Sequence, residues 1–357
     1  MNYSTDTAEA IALLKRLIAV PSVSRDEKGT ADIIESWLAE RGAAPRRLHN
    51  CVWAVADGFD PSRPTLLLNS HHDTVKPAPS WTRDPFKPET EDGKLYGLGS
   101  NDAGGSAMSL ATVFLRLRTA PLPYNLVLAL TAEEEVMGEH GMRAMLPELE
   151  KEGVRIDMAL VGEPTGMQPA VAERGLIVLD CTARGVTGHA ARNEGVNALY
   201  KALDDINRLR NLTLPKVSAT LGPVKITVTQ IEAGRQHNVI PDECRFVADV
   251  RTTDAYTNEE TEALIAAGIE SEAKARSYRV RASVIADNHP LVRGAVALGR
   301  QPFVSPTTSD MALMPFPSLK MGPGESSRSH SADEYICPDE IAEAIELYTQ
   351  LLQNLDL

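Results

Sequence analysis

Three short apolar runs constrain this chain more than anything else in it: TLLLNS (65–70), NLVLALTA (125–132) and MALVGE (158–163). A strand with one wetted face alternates apolar and polar residues, whereas a strand covered on both faces does not. The three runs therefore read as interior strands of a largely parallel sheet. Between the first two lies GGSAMSLATVFLRLRTA, a helix opened by glycines with apolar residues three and four apart. After the second comes GMRAMLPELEKEG, another helical stretch. Such alternation specifies an α/β layer.

The style changes near residue 173. GLIVLDCTARG (175–185) reads as a strand, GVNALYKALDDINRLRNL (195–212) as a helix, and VKITVTQIEAG (224–234) and ECRFVADVRTT (243–253) as two strands. NEETEALIAAGIESEAKAR (258–276) reads as a second helix and YRVRASVIA (278–286) as a last strand. The order β-α-β-β-α-β is that of the ferredoxin-like split unit. PFVSPTTSD (302–310), PSLKMGPGE (317–325) and a closing helix at 338–355 then resume the first style. The chain has 357 residues, and at about 100–200 per domain it has room for two. We expect an α/β domain of residues 1–170 and 287–357 with an α+β domain, 171–286, inserted into it.

A formal net charge of -13 argues against nucleic acid or an anionic membrane as partner. The four cysteines, Cys51, Cys181, Cys244 and Cys337, have no paired spacing and read as reduced thiols of a cytoplasmic protein. AIALLKRLIAV (10–20) is broken by Lys15 and Arg16 at helical spacing, which makes it an amphipathic helix and not a signal peptide. No apolar segment approaches membrane-spanning length.

The chemistry collects at strand ends. His71 and Asp73 follow TLLLNS, Asp102 precedes a helix, Glu133, Glu134 and Glu135 follow NLVLALTA, and Glu163 closes MALVGE. In open α/β sheets the C-terminal strand edge is where ligands bind. Adjacent carboxylates at one rim repel and are costly to desolvate unless a cation neutralises them. One histidine among several carboxylates suits zinc, with cobalt or manganese at the same site. In an extended segment residues two apart share a face, so His71 can ligate while Asp73 fixes its imidazole and His72 points away. Singly, each residue has a plainer reading: a surface histidine, glutamates favouring a helix dipole, an aspartate capping the next helix. Four segments delivering them to one edge by chance is much less expected.

In this order the motifs LIAVPSVSRDE, SHHDTV, YGLGSNDAGG, TAEEE, VGEPT, GVTGHAA, HNVIPDE, ADVR, TSD and GPGESSRSHSADEYI resemble the M20 family of metallopeptidases and deacylases. The resemblance spans nearly the whole chain and is nearest the acetylornithine deacetylase and succinyl-diaminopimelate desuccinylase branch. It implies a zinc-peptidase-like catalytic domain with a lid domain that carries a homodimer interface. It implies two divalent ions, zinc first, bridged by Asp102, with His71 and Glu163 completing one site and Glu135 and His330 the other. Asp73 would orient His71 and Glu134 would be the general base. His189 would reach a partner's active site, Arg251 and Asn238 would meet the substrate carboxylate, and Gly324 would offer backbone N–H groups.

The implied activity is hydrolysis of an N-acyl amino acid, first N-acetyl- or N-succinylornithine in arginine biosynthesis. Succinyl-diaminopimelate, an acyl-lysine, acetylcitrulline and a dipeptide are the rival substrates. A catalytically silent relative that only binds metal or amino acid is the rival from another class, and the filled ligand and base positions speak against it. Glu133-Glu134-Glu135 stands where the family has Asp-Glu-Glu, which leaves a one-residue slip of frame open. SHHDTV replaces the commoner GHxDVV and favours the ornithine and lysine biosynthetic deacylases. Glu163 in place of aspartate leans toward a deacylase.

Overall fold

The computed structural model describes residues 3–192 and 194–357. The chain divides into two compact units. One holds the residues up to Val171, Ile285–Phe303 and Ser309–Leu357. The other holds Ala172–Val284 together with Val304–Thr308. Among the described residues no helix is long and apolar enough to cross a membrane.

The first unit is built on four parallel strands in the order Asn125–Thr131, Thr65–His71, Met158–Val161, Ser318–Lys320. Cys51–Val55 runs antiparallel along the outer side of Asn125–Thr131. Every residue of Thr65–His71 is buried, because both faces are covered. Leu66 and Leu68 pack with Leu14, Phe114 and Tyr348 of the helices Thr5–Ile18, Gly105–Leu117 and Pro338–Gln353. Leu67 joins Met142, Met145 and Leu149 of the helix Met142–Lys151 on the other face. Each fully buried leucine contributes about 1.5–3 kcal/mol. Gly162, just past Met158–Val161, lets the helix Gly105–Leu117 approach closely. A Cβ there would lie 2.7 Å from Leu110 Cδ1 and 2.9 Å from Ser106 Cβ.

The second unit carries an antiparallel sheet in the order Lys225–Ala233, Glu243–Thr252, Gly175–Arg184, Glu272–Ala275. Gly175–Arg184 and Glu243–Thr252 alternate buried and exposed residues, as strands covered on one face do. Their inward residues Ile177, Leu179, Cys181, Phe246, Ala248 and Val250 pack with Ala198, Ala202 and Leu209 of the helix Ala198–Asn211 and Ile265 of the helix Asn258–Ala267.

Two expectations are corrected here. The helix expected over 258–276 stops at Ala267, and Glu272–Ala275 is the fourth strand. Of the strand expected at 278–286 only Ser283–Val284 is extended in a sheet. The sequence EAKA has helical propensity, but pairing with Leu179–Thr182 and inward placement of Ala273 and Ala275 override it. Asp205 fixes the preceding turn by accepting the N–H groups of Glu270 at 3.0 Å and Ser271 at 2.7 Å.

Candidate metal centre

The C-terminal ends of three parallel strands bring His71, Glu134, Glu135 and Glu163 into one cluster within the first unit. The segment Ser100–Gly104 adds Asp102 to it, and the loop after Ser326–Arg328 adds His330. His71 closes its strand and is almost wholly buried. Its Nε2 lies 3.2 Å from Asp102 Oδ1, 3.7 Å from Glu163 Oε1 and 3.9 Å from Glu134 Oε2. On the opposite side of the ring, Nδ1 is 3.1 Å from the Asp73 carbonyl oxygen and 3.4 Å from Asp73 Oδ1. The Asp73 carboxylate also accepts the Ser24 hydroxyl at 2.7 Å and the N–H groups of Glu134 at 3.0 Å and Glu135 at 3.2 Å. A single buried acid thus ties the imidazole of His71 to the turn bearing two glutamates.

That turn, Glu134–Val136, follows directly on Asn125–Thr131. Glu133 has a left-handed backbone (φ 56°) and turns to His140, whose Nδ1 lies 3.1 Å from Glu133 Oε1. Glu135 faces His330 at 2.9 Å, and His330 Nε2 is 3.6 Å from Asp102 Oδ2. Asp102 therefore presents one oxygen to each histidine. It does not cap the following helix: Gly104 is the N-cap, with no side-chain cap bond. His72 lies elsewhere, its ring nitrogens 3.0 Å from Thr30 Oγ1 and from the Asn50 carbonyl oxygen, and burial lowers its pKa to about 4.

Proton affinity is raised on Glu134, Glu163 and both histidines, whereas Asp102, which burial alone would push up, is held below the usual carboxylate range by His71. Burial pushes Glu134 well above the usual carboxylate range, with Glu163, Asp310 and Glu135 adding to it against the opposing pull of His71. Burial carries Glu163 up to about 8, helped by Asp102 and Glu135. Burial opposes charge on His71, but Asp102 and Asp73, with Glu134 and Glu163, hold its imidazole well above the ordinary value. The hydrogen bond to Glu135 raises His330 to about 9. Burial and the negative charge of neighbouring acids raise the glutamates, and that charge raises the histidines against burial. A divalent cation relieves it.

The donor set fits such ions. Ligand atoms about 2.0–2.1 Å from a tetrahedral zinc stand roughly 3.3 Å apart, close to the separations around His71 and between Asp102 and His330. His71, Asp102 and Glu135 each bring a ligand atom to within 4.8 Å of the others.

Gly324 has φ +82° and its carbonyl accepts the Gly166 N–H at 2.6 Å. Arg251, His189 and Asn238 belong to the second unit. There Arg251 forks Asp249 through Nε at 2.8 Å and Nη2 at 3.1 Å. Gly188–His189 pairs with Val239–Ile240, and the Ala190 N–H donates to the Asn238 carbonyl at 3.0 Å.

Sequence reasoning gave no role to several buried acids around the cluster. Glu334 accepts the N–H groups of Gly99, Asn101 and Asp102. Asp310 accepts the Thr131 hydroxyl at 2.8 Å and Asn69 Nδ2 at 3.4 Å, and burial lifts its carboxyl to about 6. Glu27 accepts Asn50 Nδ2 at 2.8 Å and the Glu133 N–H at 3.3 Å. Glu334, Asp310 and Glu27 all lie inside the quoted motifs SADEYI, TSD and SVSRDE, and that was the only signal available.

Residues 67–354 match the model of peptidase family M20/M25/M40. The chain belongs to that family. It is thereby an amide hydrolase of the metallopeptidase kind, and the acid-and-histidine cluster is its candidate catalytic centre. Among the family's curated members, a succinyl-diaminopimelate desuccinylase of Paracoccus denitrificans (strain Pd 1222) is 28% identical over 98% of this chain and 99% of its own length. One from Cereibacter sphaeroides (strain ATCC 17025 / ATH 2.4.3) is 32% identical over 70% of this chain and 69% of its own. Among solved structures, aminopeptidase PepT from Bacillus cereus ATCC 10987 superposes with a TM-score of 0.76 at 19% identity, covering 98% of both chains. A dinuclear metal binding peptidase of the M20 family from Bacillus subtilis has a TM-score of 0.71 at 17% identity over 97% of both.

Proposed function

We propose that this chain hydrolyses the amide bond of an N-acyl amino acid, using two divalent ions, zinc first, at the cluster around Asp102. The observation that carries the reading is Asp102 itself, with one carboxylate oxygen 3.2 Å from His71 Nε2 and the other 3.6 Å from His330 Nε2. His71 and Glu163 would hold one ion, Glu135 and His330 the second, and Asp102 both. Such ions polarise a carbonyl and lower the pKa of a coordinated water toward about 7.

The chain's own residues supply the rest. Asp73 takes the His71 Nδ1–H and so presents Nε2 to the centre. Glu134, whose proton affinity is raised by burial and by neighbouring acids, accepts a proton from the attacking water and returns it to the departing amine. In the second unit, His189 would stabilise the oxyanion of a partner's site, which makes the homodimer the working form. Arg251 uses Nε and Nη2 on Asp249, which leaves its Nη1 edge for a substrate carboxylate, with Asn238 and the backbone around Gly324 assisting.

For the acyl donor, the relatives support N-succinyl-diaminopimelate as the first substrate in place of N-acetylornithine, since both curated relatives above carry that activity in their names. The motif SHHDTV at 70–75 favours N-acetyl- or N-succinylornithine as the second. The test is a panel of N-succinyl-diaminopimelate, N-acetylornithine, N-succinylornithine, acetylcitrulline and Ala-Ala, each with added zinc or cobalt. Turnover of N-succinyl-diaminopimelate well above the others is expected. Cleavage of Ala-Ala alone would overturn the deacylase reading.

A further inference from the structure

The proposed mechanism leaves unused Glu334, a carboxylate only 2% exposed. Its Oε1 accepts the N–H groups of Asn101 at 2.8 Å and Asp102 at 2.9 Å, and its Oε2 accepts the Gly99 N–H at 3.1 Å. Three backbone donors from one loop converge on a side chain more than two hundred residues away. The loop answers in kind. Asn101 Nδ2 donates to the Glu325 carbonyl at 3.1 Å while Asn101 Oδ1 accepts the Glu325 N–H at 3.0 Å. The same Nδ2 reaches Ser329 Oγ at 3.4 Å.

The segment that delivers Asp102 and the segment that delivers His330 thus hold each other by two reciprocal clasps. His330 sits between them, following Ser329 and preceding Glu334 in sequence. Its side chain is 56% exposed and its backbone left-handed at φ 56°, so little packing fixes it and its place comes from its backbone. Gly324 belongs to the same device: a Cβ there would stand 2.3 Å from Asn101 Oδ1, so the clasp closes only over glycine.

We propose that Glu334 and Asn101 are positioning residues that fix the separation of Asp102 from His330, and through it the affinity for the second of the two divalent ions. The proposal rests on the metal-centre reading above. Residues that orient ligands from behind typically change metal affinity or activity 10–100-fold when replaced.

The experiment titrates cobalt(II) into full-length protein stripped with a chelator, by equilibrium dialysis and visible absorption, with turnover followed alongside. Wild type is expected to take up two ions. Glu334→Ala and Asn101→Ala should bind the first as wild type does and the second about 10–100-fold more weakly. Their turnover should fall at limiting cobalt and recover at saturating cobalt, a recovery that a merely structural role does not give. Glu334→Gln keeps an oxygen for Asn101 and Asp102 but turns an amide toward the Gly99 N–H, so it should fall between. Wild-type affinity for both ions in the variants overturns the proposal, as does loss of both ions together in step with loss of folded protein. Should Glu334→Ala not fold, Asn101→Ala decides from the opposite loop. A wild-type protein that takes up no cobalt sinks the metal-centre reading, and the proposal with it.

Discussion

Asp205 in the second unit and Glu134 and Glu163 in the first are enclosed in opposite ways. In the second, Asp205 is almost inaccessible and is hydrogen-bonded by four donors: the Ser271 hydroxyl at 2.6 Å, the Ser271 and Glu270 N–H groups, and Arg208 Nη1 at 3.0 Å. Burial pushes its carboxyl up, but those donors outweigh burial and hold it below the usual range. In the first unit burial pushes Glu134 and Glu163 up, and the acids they face add to it where Asp205 has donors. Asp205, surrounded by donors, fixes structure, whereas Glu134 and Glu163, which face other acids, await a cation or a proton. Burial alone does not separate these three carboxylates, since it pushes all of them up; their neighbours do.

The sharpest way to break this contrast is Glu134→Gln. The side chain keeps its shape and loses its ability to accept a proton, so turnover should drop by about 10²–10⁴-fold, the range for a general base, with metal content unchanged by elemental analysis. Full turnover with metal retained would remove Glu134 from the mechanism. The same substitution at Glu133, which faces His140, should leave turnover far closer to wild type and so settles the reading frame of the three glutamates.

Chelation comes next in size. Ions present at a thousand times their dissociation constant stabilise the folded state by about 4 kcal/mol. Hydrogen exchange should therefore show protection falling in Thr65–His71 and Asn125–Thr131 on chelation, with Gly175–Arg184 and Glu243–Thr252 unmoved. Equal loss in both units would show that the first unit's acids do not depend on a cation in the manner argued.

The sequence made this contrast only half legible. Continuous apolar runs announced the interior strands, because a strand covered on both faces has no other composition open to it. The strand ends then marked His71, Asp73, the three glutamates Glu133, Glu134 and Glu135, and Glu163, while the choice of Glu134 and Glu135 among the three drew on resemblance. Glu334 and Asp310 carried no such mark, since an acid in a loop has no periodicity. Glu334 is held by backbone N–H groups that every residue possesses, and Asp310 by the side chains of Thr131 and Asn69, which lie far away in sequence. His330, an isolated loop histidine, drew its reading from resemblance alone. The fourth strand of the second unit was misread because EAKA has helical propensity and only its pairing with Leu179–Thr182 makes it extended.

Asp205→Ala tests the other side of the comparison. It strands the Ser271 and Glu270 donors, and each unsatisfied buried group costs about 1–3 kcal/mol, so the second unit should lose about 3 kcal/mol in denaturant melts. The pH dependence has a definite sign. A carboxyl held below its unfolded value stabilises the fold above that value, about 3.9, and the contribution fades as pH falls through the lowered folded value. Wild type should lose protection in the second unit below about pH 4, and Asp205→Asn should flatten that loss. A wild-type unit with no acid dependence there would mean that its donors do not hold Asp205 as described.

The smallest effect is the most discriminating for independence of the units. Thr257 Oγ1 accepts the Glu260 N–H at 3.0 Å while Glu260 Oε2 accepts the Thr257 N–H at 2.9 Å, a reciprocal cap on Asn258–Ala267. Thr257→Ala removes half of it, and loss of such a cap costs about 1 kcal/mol. The change should appear as faster amide exchange in that helix. It touches neither the acid cluster nor its backbone, so cobalt uptake should match wild type. A fall in cobalt affinity from so remote a cap would show that the stability of the second unit is coupled to the metal centre, and the separation between structural and functional acids would then have to be redrawn.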